Sequence, residues 1–281
     1  MNGDRLAELR GTFQVGACHV VHSSPPQAFR GVEALRCFGF DVREPGPVRR
    51  RKIPGGTVKI VFALDGVFDG RRIEPTPLVV GPHDRGGIAE HSGRMVSVQL
   101  QLDPLAARRL LGVPLHELRN SAVDLTDILG PSALQLTYRL AESTDWSARF
   151  RLVAEYFRPQ TETAERDEMV ADAIRRLRDS RGALPISLLA DEYGWSRRHF
   201  SRRFADRTGL SPKSYGSLMR FSAALTTLVR TPAADLSRLA SELGYYDQSH
   251  LNRDFQRFAA TTPARLLAMS HSSNTDSGGR P

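Results

Sequence analysis

A repeat of about fifty residues in the second half of the chain constrains the fold more than any other sequence feature. LADEYGWSRRHFSRRF (189–204) aligns with LASELGYYDQSHLNRDF (239–255), and the second copy has one inserted residue after the glycine. Apolar residues recur at helical spacing in both copies, which predicts two versions of one small helical unit. The matched pairs are Leu189/Leu239, Ala190/Ala240, Glu192/Glu242, Gly194/Gly244, Phe200/Leu251, Arg202/Arg253 and Phe204/Phe255.

Each copy has the residue order of a helix-turn-helix. A small alanine lies where a second helix can cross closely, a glycine supplies the turn, and a polar residue caps the next helix. These residues are Ala190, Gly194 and Ser196 in the first copy, and Ala240, Gly244 and Asp247 in the second.

The second helix of each copy is predicted to carry a polar face suited to DNA. Arginine pairs bidentately with guanine, and asparagine or glutamine pairs with adenine in the major groove. Two helical hairpins with solvated polar faces are the alternative, but they do not explain why both copies repeat the cap, the turn and the arginine. The candidate DNA-binding residues are Arg197, Arg198, Ser201 and Arg202 in the first copy, and Gln248, Ser249, His250, Asn252 and Arg253 in the second.

One helix is predicted to join the two copies. Residues 211–230 read as a helix with Ser211 as its cap and Pro212 at its first position. A helix of roughly 17 residues spans about 25 Å, which suits two recognition helices about 34 Å apart on successive major grooves. Lys213 and Arg220 on this helix are candidate phosphate contacts, or ordinary surface and packing charges.

Charge agrees with an anionic partner. The chain has a formal charge of +8, and residues 168–270 contain 16 Lys and Arg against 10 Asp and Glu, a net charge of +6. A basic surface favours nucleic acid or a membrane. A generally basic composition is the alternative explanation.

The repeat resembles the DNA-binding domain of AraC/XylS-type transcriptional regulators. The matching text is LADEYGWSRRHFSRRFADRTGLSPKSY followed by LASELGYYDQSHLNRDFQRFAATTPARLL. The resemblance implies that the helices beginning at Ser196 and Asp247 are recognition helices. Three short segments depart from the family pattern: Tyr245-Tyr246, Leu251-Asn252, and Ala259-Ala260-Thr261 where a loop glycine is usual.

The first half reads as strands followed by helices. The β-rich runs KIVFAL (59–64), PLVVGP (77–82) and MVSVQLQL (95–102) are separated by Gly and Pro clusters such as EPGP, and helical periodicity begins near residue 104. The predicted fold class is therefore α+β with two domains: a β-sandwich or barrel with trailing helices, then an all-α domain of two helix-turn-helix units. The predicted boundaries are residues 1–157 for the first domain, 158–167 for a linker, 168–270 for the DNA-binding domain and 271–281 for a disordered tail.

The first half also resembles an uncharacterised N-terminal domain of one branch of the same regulators. The resemblance is carried by PLVVGP and by VSVQLQLDPLAARRLLGVPLHEL. It implies a small cupin-like barrel with trailing helices, and it implies no particular ligand. Four phenylalanines either line the mouth of this barrel or pack in its core: Phe38, Phe40, Phe62 and Phe68.

No cofactor, metal site or catalytic group is predicted. The histidines form neither HxH nor HExxH, and no GxSxG or phosphate loop is present. Cys18 and Cys37 have no paired spacing and are expected to be free thiols. The N-terminus lacks the apolar run of a signal peptide, and no apolar segment approaches a membrane span of about 18 residues. A soluble, cytoplasmic protein is expected.

The leading hypothesis is a sequence-specific transcriptional regulator that binds double-stranded DNA and is not an enzyme. An enzymatic or small-molecule-binding N-terminal domain with a fused helical module is one alternative, and an architectural binder of low specificity is another. RNA polymerase, a small-molecule effector and a second copy of the chain are left open as partners.

Overall fold

The structure is a computed structural model that describes residues 18–22, 36–68, 71–162 and 167–272. The predicted division into a sheet region and a helical region is confirmed. The N-terminal sheet region ends in helices, and residues 168–272 are helical with short turns. The predicted tail begins inside the last helix, and residues 273–281 lie outside the described residues.

Seven described strands form one antiparallel sheet, where the sequence allowed a sandwich or a barrel. Its order is β1-β2-β6-β3-β5-β7, with β4 paired to β3. All three predicted strand runs lie in it. EPGP, predicted to separate strands, instead forms an irregularity within β2 between Glu44 and Val48. The strands are β1 Cys18–His22, β2 Arg36–Lys52, β3 Val58–Phe68, β4 Arg71–Ile73, β5 Thr76–Val80, β6 Gly87–Leu102 and β7 Ala122–Asp124.

Alternation in β3 shows how the sheet acquires a core face. Val58, Ile60 and Phe62 are fully buried, whereas the residues between them are half-buried, as the two-residue period of a strand requires. Phe62 pairs with Val98, which pairs with Gly39 on β2, so these three share one face. Trp146 packs so closely over Gly39 that any side chain there would overlap the indole ring. This face is therefore covered by helices.

The helices after the sheet begin where the sequence predicted. Asp103 caps the first by accepting a hydrogen bond from the Leu105 N–H, with Pro104 at the first position. The fourth continues through Glu162, so the first five positions of the predicted linker are helical. These elements are α1 Pro104–Leu111, a 3-10 turn Leu115–Leu118, α2 Thr126–Leu129, α3 Ser132–Glu142 and α4 Trp146–Glu162.

Seven helices lie in residues 167–272, the described part of the C-terminal region. They are α5 Glu168–Asp179, α6 Ile186–Glu192, α7 Arg197–Thr208, α8 Pro212–Arg230, α9 Leu236–Glu242, α10 Gln248–Ala259 and α11 Pro263–Ser272. Helices α6 and α7 form the first helix-turn-helix unit, α9 and α10 form the second, and α8 joins them as predicted. Both units share one core, in which the Phe221 ring on α8 lies 4.9 Å from that of Phe255 on α10.

The sheet region packs directly on the helical region. Ile53 and Leu105 contact the core of the C-terminal helices. The Arg178 guanidinium on α5 donates to Asp103 at 3.1 Å, and Arg108 lies 3.6 Å from Asp206 on α7. The two regions are therefore joined by apolar packing and by ion pairs.

Candidate nucleic-acid interface

The first unit has the turn and cap that its sequence predicts. Gly194 follows α6 with a φ of 66°, a left-handed conformation that favours glycine. Ser196 then caps α7, and its side chain accepts a hydrogen bond from the His199 N–H at 3.2 Å. The cap satisfies an N–H group at the helix start that has no partner within the helix.

Helix α7 is held by one face and leaves the other in solvent. Phe200 and Phe204 are fully buried against the shared core. Since arginines 197, 198 and 202 are exposed on the helix, and Ser201 is half-buried, the predicted DNA-binding residues lie away from the core. Their contacts with DNA stay predictions.

The second unit repeats this construction with different residues. Gly244 has a φ of 72°, and Asp247 accepts a hydrogen bond from the His250 N–H at 2.7 Å. Leu251 and Phe255 are fully buried, as the repeat requires. The inserted residue is Tyr246, whose exposed fraction is 93%.

The polar face of α10 is less exposed than that of α7. Ser249 and Arg253 are exposed, whereas Gln248, His250 and Asn252 are half-buried. The Ser237 hydroxyl on α9 lies 3.0 Å from Gln248 Oε1, to which it donates. The structure thus brings all five predicted residues to one helix, and it shows that Gln248 also links the two helices of its unit.

Unpaired arginines mark both recognition helices. Among the described residues, no carboxylate forms an ion pair with the exposed arginines of α7 at 197, 198 and 202, or with Arg253 of α10. Their neighbours behave differently, because Arg203 and Arg207 both donate to Asp167, at 2.9 and 3.2 Å. The arginines that face solvent are therefore distinct from those that stabilise the domain.

The two candidate phosphate contacts on α8 differ from each other. Lys213 is exposed in the first turn of the helix. Arg220 is half-buried, donates to the Gly182 carbonyl oxygen at 2.9 Å, and lies 5.3 Å from the centre of the Tyr245 ring. Arg220 therefore has contacts within the protein that tie α8 to the second unit.

A buried acid on α10 is a feature that sequence reasoning missed. Asp254 is 7% exposed, and burial raises the pKa of its carboxyl. Burial likewise raises the pKa of the Tyr245 phenol, which lies beside this acid. The equivalent repeat position holds Arg203, so the repeat itself gave no sign of a buried carboxylate there.

A second missed feature lies in the loop between β5 and β6. Asp84 is 1% exposed and accepts hydrogen bonds from Arg119, from Asn120 at 2.8 Å, and from Arg257 on α10 at 2.7 Å. Burial alone would raise the pKa of Asp84, but these hydrogen bonds outweigh burial and lower its pKa to about 2. Nothing in the sequence signals a pair that is 173 residues apart.

The basic run RRRK (49–52) also reaches the second unit. The Arg51 guanidinium donates to the carbonyl oxygen of Ala259 and, at 3.0 Å, to that of Ala260. These are carbonyls at the C-terminal end of α10, where a cation is favoured by the helix dipole. Arg51 of the sheet region therefore contacts the end of the second recognition helix.

The sheet region does not assemble the pocket of four phenylalanines. Phe62 is on the core face, whereas Phe40 pairs with Ser97 on the opposite face and lies beside Phe38, 6.2 Å between ring centres. The side chain of Phe68 lies outside the described residues.

Within the described part of the chain, no group of three His, Cys, Asp or Glu residues is arranged to hold a metal ion, and no helix is long and apolar enough to cross a membrane. Burial raises the pKa of the Cys37 thiol to about 12.

Comparison with known proteins assigns the C-terminal region to a family. Residues 189–269 match the model of a helix-turn-helix domain family. No curated protein matches the chain.

Among solved structures, the fold is similar to three regulators at low identity. The alignment with ToxT from Vibrio cholerae covers 84% of this chain and 99% of ToxT, at 10% identity and a TM-score of 0.43. XylR, a xylose-binding transcription activator, aligns over 49% of this chain and 39% of its own, at 16% identity and a TM-score of 0.32. The AraC-like transcriptional activator CuxR aligns over 80% of this chain and 91% of its own, at 14% identity and a TM-score of 0.30.

Proposed function

We propose that the protein is a sequence-specific transcriptional regulator whose two recognition helices read successive major grooves of DNA. This proposal starts from the AraC-type helix-turn-helix domain that residues 189–269 form, a domain found in transcription regulators. One observation carries this proposal. Helices α7 and α10 are capped and buried in the same way, and each turns arginine side chains without an ion pair among the described residues toward solvent. Leaving charged side chains unpaired on two equivalent helices suits an anionic partner that both helices contact.

The two helices offer different chemistry to the bases. On α7, we propose that Arg202 binds guanine, with Arg197, Arg198 and Ser201 contacting bases or phosphates beside it. Helix α7 therefore presents cations almost exclusively, and its preferred half-site is proposed to be rich in guanine.

Helix α10 offers amides and a hydroxyl besides its arginine. We propose that Arg253 binds guanine and that Asn252 and Gln248 bind adenine, with Ser249 and His250 as further donors or acceptors. Because Gln248 is held by Ser237, its amide is oriented before DNA arrives, which lowers the entropy lost on binding.

Backbone contacts are proposed for the linking helix. Lys213 is exposed in the first turn of α8, where N–H groups and the helix dipole also favour a phosphate. Arg220 is engaged with Gly182 and Tyr245, so its proposed role is to hold the second unit and its phosphate contact is not retained.

The sheet region is proposed to control this binding, because it contacts the ends of both recognition helices. A small-molecule effector, RNA polymerase and a second copy of the chain remain candidate partners for that control. Repeating DNA selection with the full chain in the presence and absence of metabolites would identify an effector by a changed affinity for the selected duplex.

The test is selection of bound duplexes from a random 40-bp pool by the full chain (about four turns of DNA), followed by affinity measurements on variants. We expect Arg202→Ala and Arg253→Ala each to cost about 1–3 kcal/mol at the selected site and to relax base preference at one position. The control is Arg175→Ala, which removes the same charge from α5 outside both units, at an exposed residue that pairs with Asp172.

Two outcomes would contradict the proposal in different ways. Selection that enriches no sequence, with binding that depends on salt alone, would indicate an architectural binder. Equal affinity and equal base preference in the two recognition-helix variants and the control would show that α7 and α10 do not read the bases.

A further inference from the structure

The loop between β5 and β6 touches both helix-turn-helix units at the C-terminal ends of their recognition helices. This bridging loop is defined as residues 81–86. On one side Pro82 lies so close to Gly209, the residue that ends α7, that a Cβ at Gly209 would overlap the proline ring. On the other side Asp84 and Gly86 bind α10. A single short segment of the sheet region therefore contacts both units.

The contact with α10 is the more extensive of the two. The Arg257 side chain donates to the Asp84 carboxylate at 2.7 Å and to the Asp84 carbonyl oxygen at 3.0 Å. In return, the Gly86 N–H donates to the Arg257 carbonyl oxygen at 2.8 Å. Three hydrogen bonds fix both the position and the rotation of the end of the helix. The same guanidinium reaches Ser214 on α8 at 3.2 Å, so the loop, the linking helix and α10 meet at Arg257.

The loop is itself anchored in the sheet region. Asn120 donates to Asp84 Oδ1 at 2.8 Å, and its side-chain oxygen accepts from the Asp84 N–H at 3.0 Å. Gly81 donates through its N–H to the Ser121 carbonyl oxygen at 3.0 Å. Because Asp84 is buried, this network is shielded from water, and its hydrogen bonds are stronger than exposed ones. The loop thus acts as a fixed part of the sheet region.

We propose that the bridging loop sets the distance and angle between the two recognition helices, and thereby selects the spacing between the two half-sites on DNA. This inference rests on the proposed function, since it needs two DNA-reading helices. Asp84, Gly86 and Arg257 are positioning residues in this proposal, because the loop acts on the helix ends that lie away from the caps. Inserting one base pair moves a half-site by about 3.4 Å and turns it by about 35°, which two rigidly held helices cannot follow.

Gly86 offers a test that leaves the DNA-facing residues intact. A Cβ at this position would lie 2.7 Å from the carbonyl carbon of Phe258 on α10, so Gly86→Ala must displace the helix or the loop. The neighbouring Gly87 has no atom within 4 Å of such a Cβ, and neither glycine has a positive φ. Gly87→Ala is therefore a matched control with the same chemical change one residue away.

The experiment measures affinity for the selected duplex and for duplexes in which the half-sites are one or two base pairs closer or farther apart. We expect the parent protein and Gly87→Ala to lose about 10-fold or more in affinity at each changed spacing, comparable to a mismatched base pair. Gly86→Ala should bind the duplex with its best spacing more weakly than the parent does, and its affinity should vary by only about 2-fold between spacings. Its affinity for an isolated half-site should be unchanged. Asp84→Asn adds no atom that clashes, and it carries the test if the alanine variant does not fold.

The outcomes separate this inference from the proposed function. If selection succeeds but Gly86→Ala and Asp84→Asn keep the spacing profile of the parent, the loop does not set the spacing and the regulator proposal is unaffected. If both variants lose affinity equally for isolated half-sites and for every spacing, the loop supports the fold of one unit only, and the inference is overturned. If selection enriches nothing, the proposed function itself fails.

Discussion

The two helix-turn-helix units share a frame and differ in how each is attached to the protein. In both, the first helix has seven residues and the recognition helix has twelve, with a left-handed glycine and an acceptor cap between them. The recognition helix of the first unit is tied to α5 through Arg203, Arg207 and Asp167. The recognition helix of the second unit is tied to the sheet region through Arg257 and Asp84.

This difference shows that a repeat conserves the local geometry of a helix pair and leaves its surroundings free to change. Caps and turn glycines act within a few residues, so a duplicated sequence reproduces them. Anchors depend on the neighbouring region, and the neighbours of the two units are not the same. The recognition helix of the second unit therefore has its carboxylate anchor in the N-terminal region, whereas that of the first has its carboxylate anchor at Asp167 inside the C-terminal region.

The largest losses of stability should be the same for equivalent core substitutions in the two units, because both units share one core. Phe204→Ala and Phe255→Ala each remove a fully buried ring, and each should lower the free energy of unfolding by about 3–5 kcal/mol. Chemical denaturation followed by circular dichroism should show the helical region losing its structure in one transition in both variants. Tyr246→Ala, which removes a ring that is 93% exposed, is the control and should change stability by about 0.5 kcal/mol or less. A separate unfolding transition for one unit would show that the two units do not unfold as one core.

Acid should weaken the anchor of the second unit at Asp84. The pKa of Asp84 is about 2 in the folded protein and near its ordinary value of 3.8 when unfolded, so its contribution is complete above about pH 4 and is lost as the pH falls toward 2. We expect about 2 kcal/mol from this carboxylate, and Asp84→Asn should remove that part of the acid dependence of the unfolding free energy. Unchanged acid dependence in this variant would show that the anchor at Asp84 is not electrostatic.

Asp254 in the second unit should respond to pH with the opposite sign. Burial raises its pKa above the unfolded value, so its ionisation opposes folding as the pH rises from about 4 through the folded pKa. Asp254→Asn should therefore be at least as stable as the parent at neutral pH, by up to about 1 kcal/mol, and less dependent on pH in this range. Thermal unfolding across pH 4–8 measures the stability of Asp254→Asn and its pH dependence. A clear loss of stability in this variant at neutral pH would show that the Asp254 carboxylate makes a stabilising contact.

The sequence predicted what is local and missed what depends on distant contacts. Strand runs, caps and turn glycines follow from patterns of two to four residues, and the structure has them at Ser196, Asp247 and Ser211. EPGP was misread as a strand boundary because two prolines and a glycine usually end a strand, whereas here β2 accommodates them as an irregularity against β6. The first five positions of the predicted linker, residues 158–162, belong to helix α4 because their polar composition is equally suited to the exposed end of a helix.

The same distinction holds for the candidate site. The polar faces of α7 and α10 could be read from the sequence because helical periodicity decides which side chains oppose the buried phenylalanines. The roles of Arg51, Asp84 and Arg257 could not, because each is defined by a partner more than 170 residues away. Their charges were visible, but a charge in a sequence does not identify its partner.

The smallest predicted effect concerns the residue that ends each recognition helix. Gly209 ends α7 with a φ of 76°, whereas Ala260 ends α10 with a φ of 48°, where a Cβ costs about 1 kcal/mol. Ala260→Gly should therefore raise the thermal midpoint slightly, with a gain in stability of up to about 0.6 kcal/mol once the greater freedom of the unfolded chain is subtracted. The exchange in the other unit, Gly209→Ala, should cost more than this gain, because its Cβ would also lie 2.8 Å from the Leu115 carbonyl oxygen. If Ala260→Gly is destabilising, the backbone at this helix end must be rigid for Arg51 to bind its carbonyl oxygens. The contact with Arg51 would then stabilise the end of α10 more than a relaxed backbone at residue 260 does.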